Sequence, residues 1–142
     1  MGNLTKNLSR HEFECKCGCG FDTVDYGVVV MIQDGADYFA KKYESKIIVS
    51  ITGGNRCKEH NEVVQKEANK NYVPYSSKST HMDAKGADHK FYFYDNGTKT
   101  QIPPLVVYDY YDKKYPNSHG IGLYSNRVHG DSRTKKARWG KH

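Results

Sequence analysis

Residues 79–88 read STHMDAKGAD and residues 129–133 read HGDSR, and these two stretches decide how the whole chain is interpreted. They supply two histidines, His81 and His129, and the carboxylate of Asp88, on segments rich in small residues that can approach each other closely. Two imidazoles and one carboxylate leave a tetrahedral zinc ion with one open position, which water can fill. Such an open site is more typical of a catalyst than of a structural zinc, so the pattern predicts a zinc hydrolase.

The length and charge of the chain limit the number of domains and the kinds of partner that we expect for it. Its 142 residues suffice for one core, so we expect a single domain over residues 1–142. Because the chain has neither a signal-peptide-like start nor an apolar run that could span a bilayer, we expect a soluble monomer with no membrane partner. The formal charge of +6 would suit an anionic cell wall, although a charge of this size usually serves solubility alone. Residues 133–138 (RTKKAR) lack an accompanying nucleic-acid motif, so no nucleic-acid partner is expected.

Hydrophobic periodicity predicts an α+β fold with a small antiparallel sheet and flanking helices. Helical spacing or length predicts helices over residues 23–43, 59–68 and 104–114. Alternating or β-branched residues predict strands over residues 46–52, 87–94, 120–124 and 128–132. The Asn96-Gly97 pair predicts a hairpin turn, and the polar residues 69–80 predict an irregular loop that can deliver a metal ligand.

The four cysteines are unusually placed, because three of them alternate through a glycine-rich segment and the fourth stands alone. A second, structural zinc, one or two disulfides, and free thiols packed under the loop all remain open. Alternating C-x-C-x-C spacing suits zinc less well than C-x-x-C does, and the sequence does not choose among these states. The residues concerned are Cys15, Cys17, Cys19 and Cys57.

The two stretches resemble the Ser-x-His-x6-Asp and His-x-Asp signatures of the zinc D-Ala-D-Ala peptidases. That family includes D,D-carboxypeptidases, murein endopeptidases, phage endolysins and vancomycin-resistance dipeptidases, and it shares its fold with the Hedgehog signalling domain. Further motifs are similar to those of a small branch of the family, so the resemblance extends from Leu8 to Trp139. These motifs are residues 8–9 (LS), 12–13 (EF), 15–20 (CKCGCG), 52–57 (TGGNRC), 60–61 (HN) and 137–139 (ARW).

The resemblance implies a Hedgehog/D,D-peptidase-like fold and a zinc ion held by His81, Asp88 and His129. His89 is excluded as a ligand, because strand alternation turns it away from the face that carries Asp88. The resemblance also implies that Arg56 binds the oxyanion of the tetrahedral intermediate or the carboxylate of the substrate. Ser79 is expected either to bind substrate or to cap the loop that carries the ligand.

A general base is the one part of the expected machinery that the chain does not supply in the usual place. Many relatives have Glu, Asp or His two or three residues before the last histidine ligand, whereas this chain has Arg127 and Asn126 there. Asp131 is the nearest alternative carboxylate, and it is equally suited to serve as the base or to anchor a ligand. His119 is a more remote candidate for the base. Trp139 is expected to fill the core rather than to stack on a ligand.

The resemblance predicts a zinc metallopeptidase that hydrolyses peptide bonds in the stem peptides of bacterial peptidoglycan, as a D,D-carboxypeptidase or an endopeptidase. Its size and lack of an export signal suit a phage or prophage lytic enzyme, soluble in the cytoplasm or delivered by the phage to act on the cell wall. A non-catalytic, zinc-stabilised module that binds the cell wall is the alternative, because the usual base is missing. The host and the bond that is cut are not evident from the sequence.

Overall fold

The architecture is α+β, with two helices and a six-stranded, mixed and mostly antiparallel sheet, in a computed structural model that describes residues 2, 4–15, 25–54 and 86–141. A 3-10 turn at Arg10–Phe13 precedes the regular elements. The helices are α1 (Tyr26–Tyr43) and α2 (Pro104–Lys114). The strands are β1 (Ile48–Gly53), β2 (Gly86–Asp95), β3 (Thr98–Gln101), β4 (Gly120–Leu123), β5 (Val128–Asp131) and β6 (Ala137–Trp139).

The long strand β2 organises the sheet. It pairs with β1 on one side, while on the other side its first half pairs with β5 and its second half with β3. The sheet continues from β5 to β4 and then to β6, giving the order β1-β2-β5-β4-β6. The sheet is mostly antiparallel, as predicted, but the pairing of β6 with β4 is parallel, so the prediction of an antiparallel sheet is wrong at this edge. A parallel neighbour needs a crossover connection, which local periodicity does not reveal.

The helices follow the predicted pattern because local sequence signals define their ends. Asp25 caps α1 by accepting a hydrogen bond from the backbone N–H of Gly27, at 3.1 Å. The helix ends at Glu44, whose backbone is left-handed with φ 48°, just after two lysines that complement the helix dipole. Pro104 opens α2, which ends before Pro116 as predicted. Neither helix of the described segments has the length and apolarity that crossing a membrane would require.

The core lies between the helices and one face of the sheet. Phe39 of α1 and Tyr111 of α2 are fully buried there, together with Phe91 of β2 and Ile121 of β4. The opposite face of the sheet carries Asp88 and its cross-strand neighbours. The predicted turn at Asn96-Gly97 is confirmed, since both residues have positive φ, 49° and 83°, as a tight hairpin requires.

Several predicted features lie outside the described residues, among them the helix over residues 59–68 and the loop over residues 69–80. Three of the predicted site residues are also outside them, namely Arg56, Ser79 and His81. Of the cysteines, Cys15 is described and is buried, with an exposed fraction of 2%, whereas the other three lie outside. The alternatives for the state of the cysteines therefore stay open.

Candidate metal centre

The register of the sheet aligns five residues into one row, which we call the site row. Asp88 of β2 pairs directly with His129 of β5, with Gly53 of β1 on its other side. His129 in turn pairs with Gly122 of β4, which pairs with Trp139 of β6. Because directly opposed residues share a face of a sheet, the two predicted ligands lie side by side, with Gly53 next to Asp88 and Gly122 next to His129.

The imidazole of His129 lies between two carboxylates. Its Nδ1 is 2.9 Å from Oδ1 of Asp88, and its Nε2 is 2.8 Å from Oδ2 of Asp131. The ring is almost fully buried, with an exposed fraction of 5%. Burial lowers the pKa of His129, but hydrogen bonds to Asp131 and Asp88 outweigh it and raise that pKa above its ordinary value. As described, the site suits an imidazolium that donates a hydrogen bond from each nitrogen.

Asp131 is held by several hydrogen bonds from the described residues. Its Oδ1 accepts hydrogen bonds from the backbone N–H groups of Gly120 and Arg133, at 2.9 and 3.2 Å, and from Nε of Arg133 at 2.8 Å. Its Oδ2 accepts from Nη2 of Arg133 at 2.7 Å in addition to His129. Burial would raise the pKa of Asp131, yet the hydrogen bonds from His129 and Arg133 hold it far below its usual range. Asp131 is therefore a carboxylate with fixed orientation and no exposed surface.

The two nitrogens of His129 have different surroundings, and this difference identifies the side on which a metal ion would bind. On the Nε2 side, Asp131 is enclosed by donors of the protein. On the Nδ1 side, Asp88 keeps 17% of its side chain exposed, and its Oδ2 is 3.4 Å from Nε of Arg127. An imidazole nitrogen and a carboxylate oxygen at hydrogen-bond distance are a donor set that zinc accepts, so Asp88 and His129 fit as two ligands on this side.

A third ligand for such an ion would have to come from outside the described residues. Among the described residues, no three His, Cys, Asp or Glu side chains surround a common point as metal ligands would. Asp131 is not a third ligand with Asp88, because the two carboxylates contact opposite edges of the His129 ring. The predicted third ligand, His81, lies outside the described residues.

Glycines of β4 make room for the centre. A Cβ atom on Gly120 would lie 2.3 Å from Oδ2 of Asp131 and 2.6 Å from Nε of Arg133. A Cβ atom on Gly122 would lie 2.3 Å from Nε1 of Trp139. The two glycines of β4 therefore leave the space into which the Asp131 carboxylate and the Trp139 indole fit.

Aromatic and basic side chains border the centre, and sequence reasoning missed this arrangement. Trp139 is only half-buried, so it does not fill the core as predicted; its ring centroid is 5.2 Å from that of His129. Its Nε1 donates to the hydroxyl of Tyr124 at 3.1 Å, and the guanidinium of Arg133 lies 5.4 Å from its ring. The available signal was Gly122, because a glycine opposite a tryptophan in a strand indicates that a large ring lies over the backbone.

His89 occupies the opposite face of β2, as strand alternation predicts. Its Nδ1 lies 3.0 Å from the carbonyl oxygen of Ala87, and its Nε2 lies 2.8 Å from the hydroxyl of Tyr111. Complete burial lowers the pKa of His89 to about 4. The residue is thus a neutral core histidine with both nitrogens satisfied.

His119, the remote candidate for the base, is held by neighbours in its own loop. Its ring stacks on Tyr115 with centroids 3.8 Å apart, and its Nδ1 is 2.7 Å from the hydroxyl of Ser118. Burial lowers its pKa below the ordinary value. Its backbone has a left-handed φ of 67°, which turns the chain into β4. These contacts give His119 a structural place beside the centre.

A cavity of about 820 Å³ lies away from the centre, between the N-terminal segment, α1 and β1. Its lining includes Lys6, His11, Asp37 and Lys46 and contains no member of the site row. The cavity is therefore separate from the site row, where carboxylates and an imidazole converge.

Comparisons of the chain with protein-family models, with curated proteins and with solved structures found no match.

Proposed function

We propose that the chain is a zinc-dependent peptidase that hydrolyses peptide bonds in the stem peptides of bacterial peptidoglycan, on a Hedgehog/D,D-peptidase-like fold. The single observation that carries the proposal is the direct pairing of Asp88 with His129, with Asp131 behind the histidine. The carboxylate–histidine arrangement is the usual support for a metal-binding imidazole, because it fixes both the tautomer and the direction of the ring.

The residues that would hold the zinc ion are His81, Asp88 and His129. When bound in such a site, zinc lowers the pKa of its water and polarises a carbonyl group. His129 would bind through Nδ1, because its Nε2 faces Asp131. Asp88 would bind from the same side, and its exposed edge leaves an approach for water and substrate.

The geometry supports an anchoring role for Asp131, of the two roles that the sequence left open. Its oxygens accept hydrogen bonds from Gly120, His129 and Arg133, and its side chain has no exposed surface. A base must reach water on the Nδ1 side of His129, whereas Asp131 lies on the Nε2 side. In this proposal Asp131 keeps the proton on Nε2, so that the Nδ1 lone pair is available to the metal.

The bordering side chains favour a peptide substrate that carries charge. Trp139 and Tyr124 offer flat surfaces beside His129, and Arg127 contacts both Asp88 and the ring of Tyr124. Arg56 and Ser79 keep their predicted roles, as oxyanion or carboxylate ligand and as substrate-binding residue. The formal charge of +6 suits a polyanionic cell wall, in keeping with a phage or prophage lytic enzyme.

A second candidate function is a non-catalytic, zinc-stabilised module that binds the cell wall. One observation favours it: Arg127 stands where relatives of the proposed family have a base, and its Nε contacts the carboxylate of Asp88. The two candidates differ in turnover, because only the peptidase cleaves stem peptides. Both candidate functions predict a bound zinc ion.

Metal content and hydrolysis measured on the same samples test the proposal. We expect about one zinc per chain at the His129 site, and release of amino acid or peptide from purified muropeptides that stops with chelator and returns with zinc. His129→Ala should lose that zinc and the activity, whereas His119→Ala, a matched histidine beside the centre, should keep the zinc. Zinc without hydrolysis would indicate the binding module, and unchanged zinc in His129→Ala would refute the assignment of the site.

A further inference from the structure

Arg127 lies beside the proposed metal centre and contacts one of its proposed ligands. Its Nε is 3.4 Å from Oδ2 of Asp88, and its Nη1 donates to the side-chain oxygen of Asn126 at 3.1 Å. Among the residues that the structure describes, no acceptor contacts its Nη2 group. About one third of the side chain, 34%, is exposed. The guanidinium is therefore tied at one end to a proposed metal ligand and retains donor capacity toward solvent.

The surroundings of Arg127 fix its orientation. The guanidinium carbon lies 4.3 Å from the ring of Tyr124, whose hydroxyl accepts the hydrogen bond from Trp139. The backbone of the β4–β5 hairpin is closed by a hydrogen bond from Tyr124 N–H to the carbonyl of Arg127, at 3.1 Å. Gln101 of β3 donates to the carbonyl of Asn126 at 2.8 Å. The hairpin backbone is thus held in place, and the contacts of the guanidinium with Tyr124, Asp88 and Asn126 already restrict part of the side-chain freedom that a ligand would otherwise remove.

The guanidinium of Arg127 is adjacent to the proposed zinc ligands, because its Nε lies 3.4 Å from Oδ2 of Asp88. An extended peptide advances about 3.3–3.6 Å per residue. A group one residue beyond a bond cleaved at Asp88 and His129 would therefore lie within reach of a guanidinium that contacts Asp88. A guanidinium binds a carboxylate through two parallel hydrogen bonds and cannot lose its proton in proteins, which makes it selective for anionic groups.

We propose that Arg127 binds the free α-carboxylate of the residue on the leaving side of the scissile bond. The inference rests on the proposed function and narrows it, because such a contact selects carboxypeptidase substrates over internal peptide bonds. Arg127 thus occupies the position at which relatives of the proposed family have a base, and it would determine substrate specificity instead. Its contact with Asp88 holds the guanidinium in place until the carboxylate arrives.

A pair of substrates that differ only in their terminal group tests this inference. We would compare kcat/KM of the zinc-loaded protein on a peptide ending in D-Ala-D-Ala as the free acid and on the same peptide as the carboxamide. The wild type should prefer the acid by about ten- to a hundredfold, the range for a hydrogen bond to a charged group. In Arg127→Gln the acid-to-amide ratio should fall by that factor, mainly through KM, and Arg127→Lys should restore only part of it.

The control variant is Lys135→Gln, which removes one positive charge from an exposed position in the turn before β6. It should keep the acid-to-amide ratio of the wild type, which separates local recognition from net charge. Zinc content is measured for every variant. An equal loss on acid and amide in Arg127→Gln would show that the residue acts through Asp88 alone, and an unchanged ratio would show that it does not touch the carboxylate; either result overturns the inference.

Failure of the proposed function is distinguishable from failure of the inference. If the zinc-loaded wild type hydrolyses neither peptide, the peptidase assignment fails, and calorimetric binding of the same two peptides then decides the role of Arg127. Tighter binding of the acid by the wild type, lost in Arg127→Gln, would uphold the contact. Equal affinity for acid and amide would overturn it.

Discussion

Replacing Asp131 by asparagine tests the proposal that this carboxylate orients His129 for a metal ion. From the described residues, Oδ1 of Asp131 accepts three hydrogen bonds, one from the backbone of Gly120 and two from the backbone and Nε of Arg133. The amide oxygen of the variant must keep this position, which places the NH2 group where Oδ2 now accepts from His129. That NH2 group cannot accept a hydrogen bond, so it is best satisfied by donating to Nε2 of His129. The proton of the ring then moves to Nδ1, the nitrogen that faces Asp88.

The size of the effect follows from these contacts. Loss of a carboxylate that supports a metal-binding histidine weakens metal affinity by about ten- to a hundredfold, or about 1.4 to 2.7 kcal/mol. We expect Asp131→Asn to fall at the upper end, because the change both removes the charge and favours the wrong tautomer. The free energy of unfolding should also decrease. The decrease should lie near the lower end of the range of about 1.5–3 kcal/mol, because Arg133 keeps 38% of its side chain exposed to water.

The assay is competition for zinc with a chromophoric chelator at neutral pH, followed by turnover measured at saturating zinc. Nitrogen-15 spectra of the imidazole report the tautomer directly. Asp112→Asn is a matched control, because Asp112 also pairs with an arginine, at 2.8 Å from Nε of Arg138, but does not contact His129. Zinc affinity of Asp131→Asn within twofold of the wild type would refute the anchoring role. Retained zinc with turnover lowered about a hundredfold or more would instead identify Asp131 as the general base.

Three further predictions concern other residues. Gly120→Ala should weaken zinc binding at least about tenfold. The added Cβ would lie 2.3 Å from Oδ2 of Asp131 and would therefore displace that carboxylate; unchanged zinc affinity would contradict this. Burial lowers the pKa of His89 from 6.5 to about 4, so the unfolded chain binds this proton more tightly than the folded chain does. His89 thus stabilises the fold fully above pH 6.5, and up to about 3 kcal/mol is lost as the pH falls toward 4; urea unfolding of His89→Gln should show a shallower loss between pH 7 and 5, and an equal slope would refute it. Arg56→Ala should reduce turnover by about 3 kcal/mol if the guanidinium stabilises the oxyanion, whereas a loss confined to KM would indicate a carboxylate contact.

Local periodicity accounts for the part of the fold that sequence could predict. Helices α1 and α2 and strands β1, β2, β4 and β5 follow from the spacing of apolar residues and from capping signals. Strand β3 was missed because its residues, TKTQ, are polar and lie on an exposed hairpin. Strand β6 was missed because it has three residues and joins β4 in parallel, and such a contact depends on the rest of the sheet.

The candidate site was predictable in composition but not in geometry. The spacing of the motifs indicated Asp88 and His129, and strand alternation separated His89 from them. Whether Asp131 is a base or an anchor depends on which edge of the His129 ring it contacts, and no sequence pattern encodes that. Trp139 lies beside His129 because β6 pairs in parallel with β4 and places Trp139 opposite Gly122.

The central claim, a zinc peptidase acting on peptidoglycan, is tested most directly by mass spectrometry of purified murein digested with the protein. The zinc-loaded wild type should produce muropeptides shortened by hydrolysis of one defined peptide bond, and chelator or His129→Ala should abolish these products. Undigested murein in the presence of protein that carries one zinc per chain would contradict the claim.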